Sequence, residues 1–338
     1  MDYKKVIALL SLGIIILIAM VIFIGPGKII SALQTANIYY VICAIIVQFI
    51  ILALWNERWS IICDSLDIPH NKLSLFAMTI VGLAVNDLTP SGRSGGEPVR
   101  AYLLTKNSSV GFKKTFATVM GDKLFDTFPF MVLAIFAIIY LMTYLHLGTT
   151  LFTILLVALI LFIMLLVLII YVCVNEEFGL KAIDWVFRQI RRITSKNVDK
   201  YEKTAHSSLI GFQSSLRYLM DDHMLLFKAT IISFVVWFLE LLRVYIVFLA
   251  FGQTVSLGMI ASVFLVSSLI GIIPALPGGL GSIDGVMILL YSMAGVSASV
   301  STAATLVERM ISLWMVIIIG MILLPFYGRE ALDKVGDD

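Results

Sequence analysis

The sequence predicts an all-α polytopic membrane protein with inverted-topology repeats, each containing a re-entrant broken-helix hairpin. Three observations lead to this fold class. First, hydrophobic residues make up 60% of the 338 residues and charged residues only 14%, well below the roughly 25% of an average soluble protein. Second, apolar segments recur that are long enough to cross a bilayer, which takes about 20 helical residues. Third, two turns rich in proline and glycine occupy corresponding places in the two halves of the chain.

The apolar segments predict the helices in order. The first, residues 6–24, has no small-residue cleavage site and is interpreted as a retained helix that also targets the protein. The segment 149–174 contains no charge and is another clear span. The remaining segments are 38–56, 73–89, 115–145, 224–250, 257–276, 286–296 and 302–326. We therefore expect a single membrane domain over residues 1–338.

The basic residues predict the orientation of these helices. If the N-terminus is cytoplasmic, then Arg58, the eight basic residues from Lys181 to Arg217 and the basic C-terminus fall on the same side. Lys28 falls on the other side. This bias is the positive-inside signal of a multi-pass protein of the cell membrane with both termini in the cytoplasm. Residues 175–222 then form a cytoplasmic amphipathic linker, with apolar residues at helical spacing among the basic ones.

Two segments are interrupted by turns. The chain reads Thr-Pro-Ser-Gly-Arg-Ser-Gly-Gly-Glu-Pro-Val-Arg over 89–100 and Pro-Gly-Gly-Leu-Gly-Ser-Ile-Asp over 277–284. A helix from Glu97 to Lys106 would be only about 15 Å long, half the thickness of a bilayer. We interpret each turn and its flanking segments as a re-entrant pair. The first pair enters from the cytoplasm and the second from the outside.

The two interrupted segments match each other. Pro90 precedes Glu97 by seven residues, and Pro277 precedes Asp284 by seven. An acid followed by a base comes 25 residues after Glu97 and 24 residues after Asp284. The predicted repeats are residues 73–145 and 257–326. Inverted repeats with broken helices are typical of transporters.

The turns predict a site for an anion. Non-helical backbone at membrane depth has to be buried in protein or line a cavity, and the free N–H groups at a helix N-terminus attract phosphate. Arg93 and Arg100 add planar guanidinium groups that fit phosphate. The alternative is a loop at the cytoplasmic surface whose arginines only orient the protein.

Two pairs of neighbouring charges lie at membrane level, Asp122 with Lys123 and Glu308 with Arg309. Such charges often mark a transport pathway, but structural ion pairs that fix helix packing explain them equally well. Each acid is expected to pair with a base on another helix, since neighbouring residues of a helix point in different directions. The scattered cysteines and histidines predict no metal site, and no cofactor is expected.

The two turn motifs resemble those of a flippase-like integral membrane family, which is related to the membrane (flippase) domain of lysylphosphatidylglycerol synthase. The resemblance covers about residues 5–327, and its motif residues are Asn86, Pro90, Arg93, Gly96, Glu97, Arg100, Pro277, Gly278, Gly279 and Gly281. It implies movement of a phospholipid, or of another lipid-linked phosphate, between the two leaflets. Asp284 replaces an expected glutamate, and Asp122-Lys123 replaces Glu-Arg; both differences keep the signs of the charges and bear on the choice of lipid rather than on the mechanism.

The sequence thus predicts a lipid flippase for cell-envelope assembly whose partner is a membrane phospholipid or a polyprenyl-phosphate-type lipid. No nucleic acid is expected, and a homodimer is left open. The predicted substrate-binding residues are those motif residues together with Asp122, Lys123, Asp284, Glu308 and Arg309. Two alternatives remain open, an intramembrane enzyme that acts on a lipid phosphate and a non-transporting subunit of an envelope synthase.

Overall fold

The computed structural model describes residues 26–89, 95–144, 175–193, 199–271 and 277–333, with isolated positions at 22 and between 153 and 171. All regular elements in these residues are helical. They are α1 (Pro26–Gln34), α2 (Ile38–Ser65), α3 (Lys72–Leu88), α4 (Gly96–Ser108), α5 (Phe112–Tyr144), α6 (Glu176–Ile193), α7 (Asp199–Asp221), α8 (His223–Ala250), α9 (Leu257–Gly271), α10 (Ser282–Met293), α11 (Ala298–Arg309) and α12 (Met315–Asp333).

Four helices of the described part are long and apolar enough to cross a membrane: Ile38–Ser65, Phe112–Leu141, His223–Ala250 and Ala298–Phe326. The last runs from α11 into α12 through a π-helical turn at Met310–Trp314. At 1.5 Å per residue each is about 40 Å long, more than the hydrocarbon thickness of a bilayer. The chain is therefore a multi-pass membrane protein whose described elements are all helical. Apart from isolated positions, the predicted helices at 6–24 and 149–174 lie outside the described residues.

Helices α2 and α8 are a matched, antiparallel pair. Each contains 28 residues and begins after a side-chain N-cap, Asn37 for α2 and Asp222 for α8. The backbone N–H of Asn37 donates to the carbonyl of Ala250 (2.8 Å), and the Ser65 hydroxyl donates to the Asp222 carboxylate (3.1 Å). The beginning of each helix is thus bonded to the end of the other.

The two halves of the chain, before and after the linker at 175–222, exchange helices instead of packing side by side. Helix α3 of the first half packs on α12 of the second, and α9 of the second half packs on α5 of the first. The contact between α3 and α12 is very close at Gly320, where an added Cβ would lie 2.4 Å from the Cβ of Ala84. Each half therefore contributes a helix to the core of the other.

The structure corrects the prediction for Arg58. The sequence analysis assigned this residue to a cytoplasmic connection after an apolar segment that ends at 56. Helix α2 instead continues to Ser65, and Arg58 lies inside it with only 2% of its surface exposed. Local hydropathy missed this extension because the charge of Arg58 is neutralised by partners far away in the sequence.

The linker between the halves is helical where it is described. Helix α6 is amphipathic, as the spacing of its apolar residues predicts, and it packs against α7. Helix α7 in turn packs on α5 through buried Leu216 and Leu219. This arrangement joins the linker to the first half of the bundle.

Candidate functional site: a charged cavity between the long helices

A cavity of about 150 Å³ lies between the long helices. Gln48 and Trp55 of α2 line it, and so do Glu240 and Arg243 of α8. The other polar residues that line it are Asn86, Asp87, Lys123, Asp126, Ser268, Glu308, Arg309 and Ser312. Polar and ionisable groups are costly at membrane depth and usually face a protein interior or a pathway. This cavity is therefore the candidate site.

Arg243 is the central base of the cavity. Its guanidinium group lies 2.8 Å from the Glu308 carboxylate and 2.5 Å from that of Glu240, and it also donates to the side-chain oxygen of Gln48. The residue is 1% exposed. The sequence analysis expected Glu308 to pair with another helix, and this contact between α8 and α11 confirms it. Glu240 lies one helical turn before Arg243 and supplies the second carboxylate.

The second predicted turn borders the cavity. Gly278, Gly279 and Gly281 have positive φ angles of 58°, 63° and 79°, which glycine adopts without the strain that a Cβ would cause. Arg309 donates to the carbonyl of Gly278 and lies 2.9 Å from the Asp284 carboxylate, which also accepts the backbone N–H of Gly281 (2.7 Å). Together with buried Pro277 these residues fix the turn against α11.

The first turn is held by an equivalent set of contacts. The Asn86 side chain accepts the backbone N–H of Gly96 at 2.5 Å, and the Glu97 carboxylate lies 2.9 Å from Lys123. The pair Glu97–Lys123 thus corresponds to the pair Asp284–Arg309 of the other half. Residues 90–94 of this turn, with the predicted Pro90 and Arg93, lie outside the described residues.

A buried cluster surrounds Asp122 and adjoins the cavity at Asp126. One carboxylate oxygen lies 2.6 Å from Nε of Arg58, and the other lies 2.9 Å from Nη1 of Arg100. Arg58 also contacts Asp126 at 3.1 Å, and the guanidinium group of Arg100 stacks on the Trp59 ring at 4.0 Å, a favourable cation–π geometry. Two bases and two acids therefore neutralise one another inside the first half.

The structure places the predicted site residues in the cavity, in the buried contacts beside it and in the second turn. Asn86, Lys123, Glu308 and Arg309 line the cavity. Gly96, Glu97, Arg100 and Asp122 belong to the buried contacts beside it and do not line it. The second turn contacts Arg309 or supports the residues that do so; its predicted residues are Pro277, Gly278, Gly279, Gly281 and Asp284.

Sequence reasoning missed the contributions of Gln48, Arg58 and Ser233. Each is a polar residue in a long, mainly apolar helix, and its partner lies at least 64 positions away in the sequence. The sequence does contain one feature that could have indicated their role. Two apolar segments of similar length carry an arginine at related positions, Arg58 in α2 and Arg243 in α8.

Comparison with known proteins identifies the family. Residues 9–320 match the family model of the lysylphosphatidylglycerol synthase TM region. A UPF0104 membrane protein of Methanothermobacter thermautotrophicus is 43% identical over 100% of this chain and 99% of its own length. UPF0104 membrane proteins of Methanocaldococcus jannaschii and Pyrococcus horikoshii are 29% and 27% identical over 97% and 93% of this chain.

The chain belongs to the lysylphosphatidylglycerol synthase TM region family. The family resemblance that the turn motifs predict is thus confirmed. In this member of the family the matched region contains the cavity, both turns and the Asp122 cluster. The names of the relatives describe membrane proteins and state no activity.

Proposed function

We propose that this protein moves a lipid with a phosphate-bearing headgroup between the leaflets of the cell membrane. The observation that carries the proposal is the charged cavity among long apolar helices. A headgroup crossing a bilayer needs polar partners where the hydrocarbon offers none. The candidate cargo is a membrane phospholipid or a polyprenyl-phosphate-type lipid that is used in cell-envelope assembly.

The bases of the site are the proposed phosphate ligands. Lys123, Arg243 and Arg309 face the cavity, and Arg100 lies in the adjoining cluster, where Asp122 orients it. Guanidinium groups bind phosphate oxygens with two parallel N–H donors. Arg93 remains a prediction from the sequence. The cavity carboxylates, such as Glu308, then pair with these bases, with headgroup amines or with protons.

We further propose that the two halves are inverted repeats, each with a re-entrant hairpin. The equal lengths and antiparallel contacts of α2 and α8 support this. So does the recurrence of an acid–base pair that joins each turn to the following long helix, Glu97–Lys123 and Asp284–Arg309. The repeats then begin at α2 and α8, earlier than the predicted 73 and 257.

The cavity residue Glu308 and Arg100 of the adjoining cluster give a clear prediction for Arg100→Gln and Glu308→Gln. Each variant should reduce lipid translocation in reconstituted vesicles about tenfold or more, since a charged hydrogen bond in a dry site contributes roughly 1.5–3 kcal/mol. Asp122 keeps its contact with Arg58 when Arg100 is replaced, so the fold should survive. The matched control is Arg188→Gln, on the exposed face of α6, which should transport like the wild type.

The outcomes separate the proposal from its alternatives. Folding is checked by monodisperse elution of each variant. Normal transport by well-folded Arg100→Gln and Glu308→Gln proteins would contradict a role of these residues in binding. Release of a headgroup, detected as a change in lipid mass, would instead identify an intramembrane enzyme.

A further inference from the structure

Trp55 of α2 carries a buried hydrogen-bond donor without an acceptor. Its indole N–H is shielded from solvent and has no hydrogen-bond partner among the described residues. The indole N–H of Trp59, by contrast, donates to the Thr118 hydroxyl at 3.0 Å, and that of Trp237 donates to the Asp126 carbonyl at 3.0 Å. Leaving a buried donor unpaired is costly. Because Trp55 lines the cavity, its N–H is available to a ligand there.

Arg243 offers the cavity one further donor. Its Nη1 donates to Gln48, and its Nη2 lies 2.8 Å from the Glu308 carboxylate and 2.5 Å from that of Glu240. Its Nε is buried and has no acceptor among the described residues. A guanidinium group with an open edge binds phosphate through two parallel N–H donors, but here both Nη atoms are occupied. Arg243 therefore gives a ligand one hydrogen bond, and a second donor has to come from another residue.

The antiparallel packing of α2 and α8 directs these two donors toward each other. The side chains of a helix tilt toward its N-terminus. By this rule Trp55 leans toward the level of Gln48, seven residues earlier in α2, and Arg243 leans toward the level of Glu240 in α8. Because Gln48 is itself bonded to Arg243, the two tilts converge on the same part of the cavity.

The charges of the cavity wall limit how much negative charge a ligand can bring. Among the described residues the wall has four carboxylates, those of Asp87, Asp126, Glu240 and Glu308. The three bases of the wall, Lys123, Arg243 and Arg309, each have a carboxylate within 2.9 Å. An anion therefore gains hydrogen bonds from the two N–H groups but finds no base without a carboxylate partner. Each further negative charge on the ligand is repelled by the carboxylates.

We propose that Trp55 is a specificity-determining ligand of the lipid headgroup, whose phosphate accepts hydrogen bonds from the Trp55 indole N–H and from Nε of Arg243 and carries a single charge. A phosphodiester has a single negative charge, whereas a phosphomonoester carries about 1.5 to 2 charges at pH 7. The site thus selects a phosphodiester lipid over a polyprenyl monophosphate. This inference rests on the proposed lipid translocation and chooses between the two cargoes named for it.

Trp55→Phe tests the assigned donor, because it removes the N–H group and keeps an aromatic ring. The measurement is the Kd for dioctanoyl phosphatidylglycerol, by isothermal titration calorimetry of the full chain in detergent at pH 7.5. We expect the Kd to rise about tenfold or more, the effect of losing a hydrogen bond to a charged group. An unchanged Kd in a folded Trp55→Phe protein would overturn the role of Trp55.

Trp237→Phe is the matched control. It removes the same N–H group and the same part of the ring, but this N–H is already bonded to the Asp126 carbonyl and cannot reach a ligand as well. The variant should lower the Tm and bind dioctanoyl phosphatidylglycerol with the Kd of the wild type. A Kd that rises equally in Trp237→Phe and Trp55→Phe would show a general effect of the smaller ring and contradict the assignment.

The wild-type protein tests the charge of the ligand without any substitution. Dioctanoyl phosphatidylmethanol and dioctanoyl phosphatidic acid differ by one methyl group, which makes the first a phosphodiester and the second a phosphomonoester. At pH 7.5 the phosphodiester should bind several-fold more tightly, and inorganic phosphate should bind more weakly than either lipid. Lowering the pH to 5.5 should narrow the difference between the lipids, since the second pKa of a phosphomonoester is about 6. Equal or tighter binding of phosphatidic acid at pH 7.5, or of inorganic phosphate, would overturn the selection of a phosphodiester lipid.

These binding measurements are independent of the transport assay. Binding that depends on Trp55 in a protein that moves no lipid would support this site and contradict the proposed function. Transport of phosphatidylglycerol by a protein whose Kd does not depend on Trp55 would overturn this site and leave the proposed function standing.

Discussion

At the scale of single residues, Asp222 shows how one carboxylate fixes a helix pair. It accepts the backbone N–H groups of Met224 and Leu225 at 3.1 and 3.0 Å and the Ser65 hydroxyl at 3.1 Å. The backbone hydrogen bond from Leu225 is the main cause that lowers the pKa of the Asp222 carboxyl. Hydrogen bonds to the charged form of an acid stabilise that form and so lower the pKa of the acid.

This shift predicts a pH dependence of stability. Because the pKa of Asp222 is lower in the folded than in the unfolded protein, its stabilisation is complete above the unfolded value of about 3.9 and is lost as the pH falls through the folded value. Asp222→Asn keeps an N-cap acceptor but cannot titrate. We expect the Tm of the wild type to fall more than that of Asp222→Asn when the pH is lowered from 7 to 3. Parallel Tm curves for the two proteins would contradict this.

At the scale of elements, glycine determines how closely α3 and α4 approach. A Cβ on Gly96 would lie 1.9 Å from the carbonyl oxygen of Gly82, and a Cβ on Gly82 would lie 2.3 Å from Cγ of Arg100. The absence of a side chain at these glycines therefore allows α3 and α4 to pack closely and leaves room for the aliphatic part of Arg100. Backbone cannot move aside as a flexible side chain can.

Gly96→Ala should therefore destabilise the protein, by at least the roughly 1–3 kcal/mol that overpacking typically costs. Gly111→Ala is the matched control, since its Cβ would meet no atom within 4 Å. The measurement is thermal unfolding in detergent. A Tm for Gly96→Ala that equals that of Gly111→Ala would contradict the close approach.

The elements were largely predictable from the sequence, whereas their pairings were not. Apolar runs of about 20 residues and Pro/Gly turns are local signals, and they predicted α8, α9 and the short helix after each turn. The bonds Arg58–Ser233 and Arg243–Gln48 depend on the register of two antiparallel helices, which hydropathy does not encode. For the same reason the sequence assigned Arg58 to a connection.

At the scale of the whole molecule, the orientation in the membrane is a further prediction. Lys181→Cys, exposed on α6, should be labelled only from the cytoplasmic side because the basic residues concentrate in this linker. Thr254→Cys, exposed in the loop after α8, should be labelled only from outside, since α8 is long enough to cross the bilayer. Labelling of intact cells with an impermeant maleimide decides this. Modification of Lys181→Cys in intact cells would contradict the orientation.

The most direct test of the central claim uses the wild-type protein in vesicles that contain a fluorescent phosphatidylglycerol. A membrane-impermeant quencher measures the fraction of this lipid in the outer leaflet, and mass spectrometry of the recovered lipid shows whether it is chemically unchanged. Translocation predicts that the quenched fraction rises well above that of protein-free vesicles while the mass of the lipid stays the same. A quenched fraction equal to that of protein-free vesicles, or a lipid of altered mass, would contradict the account.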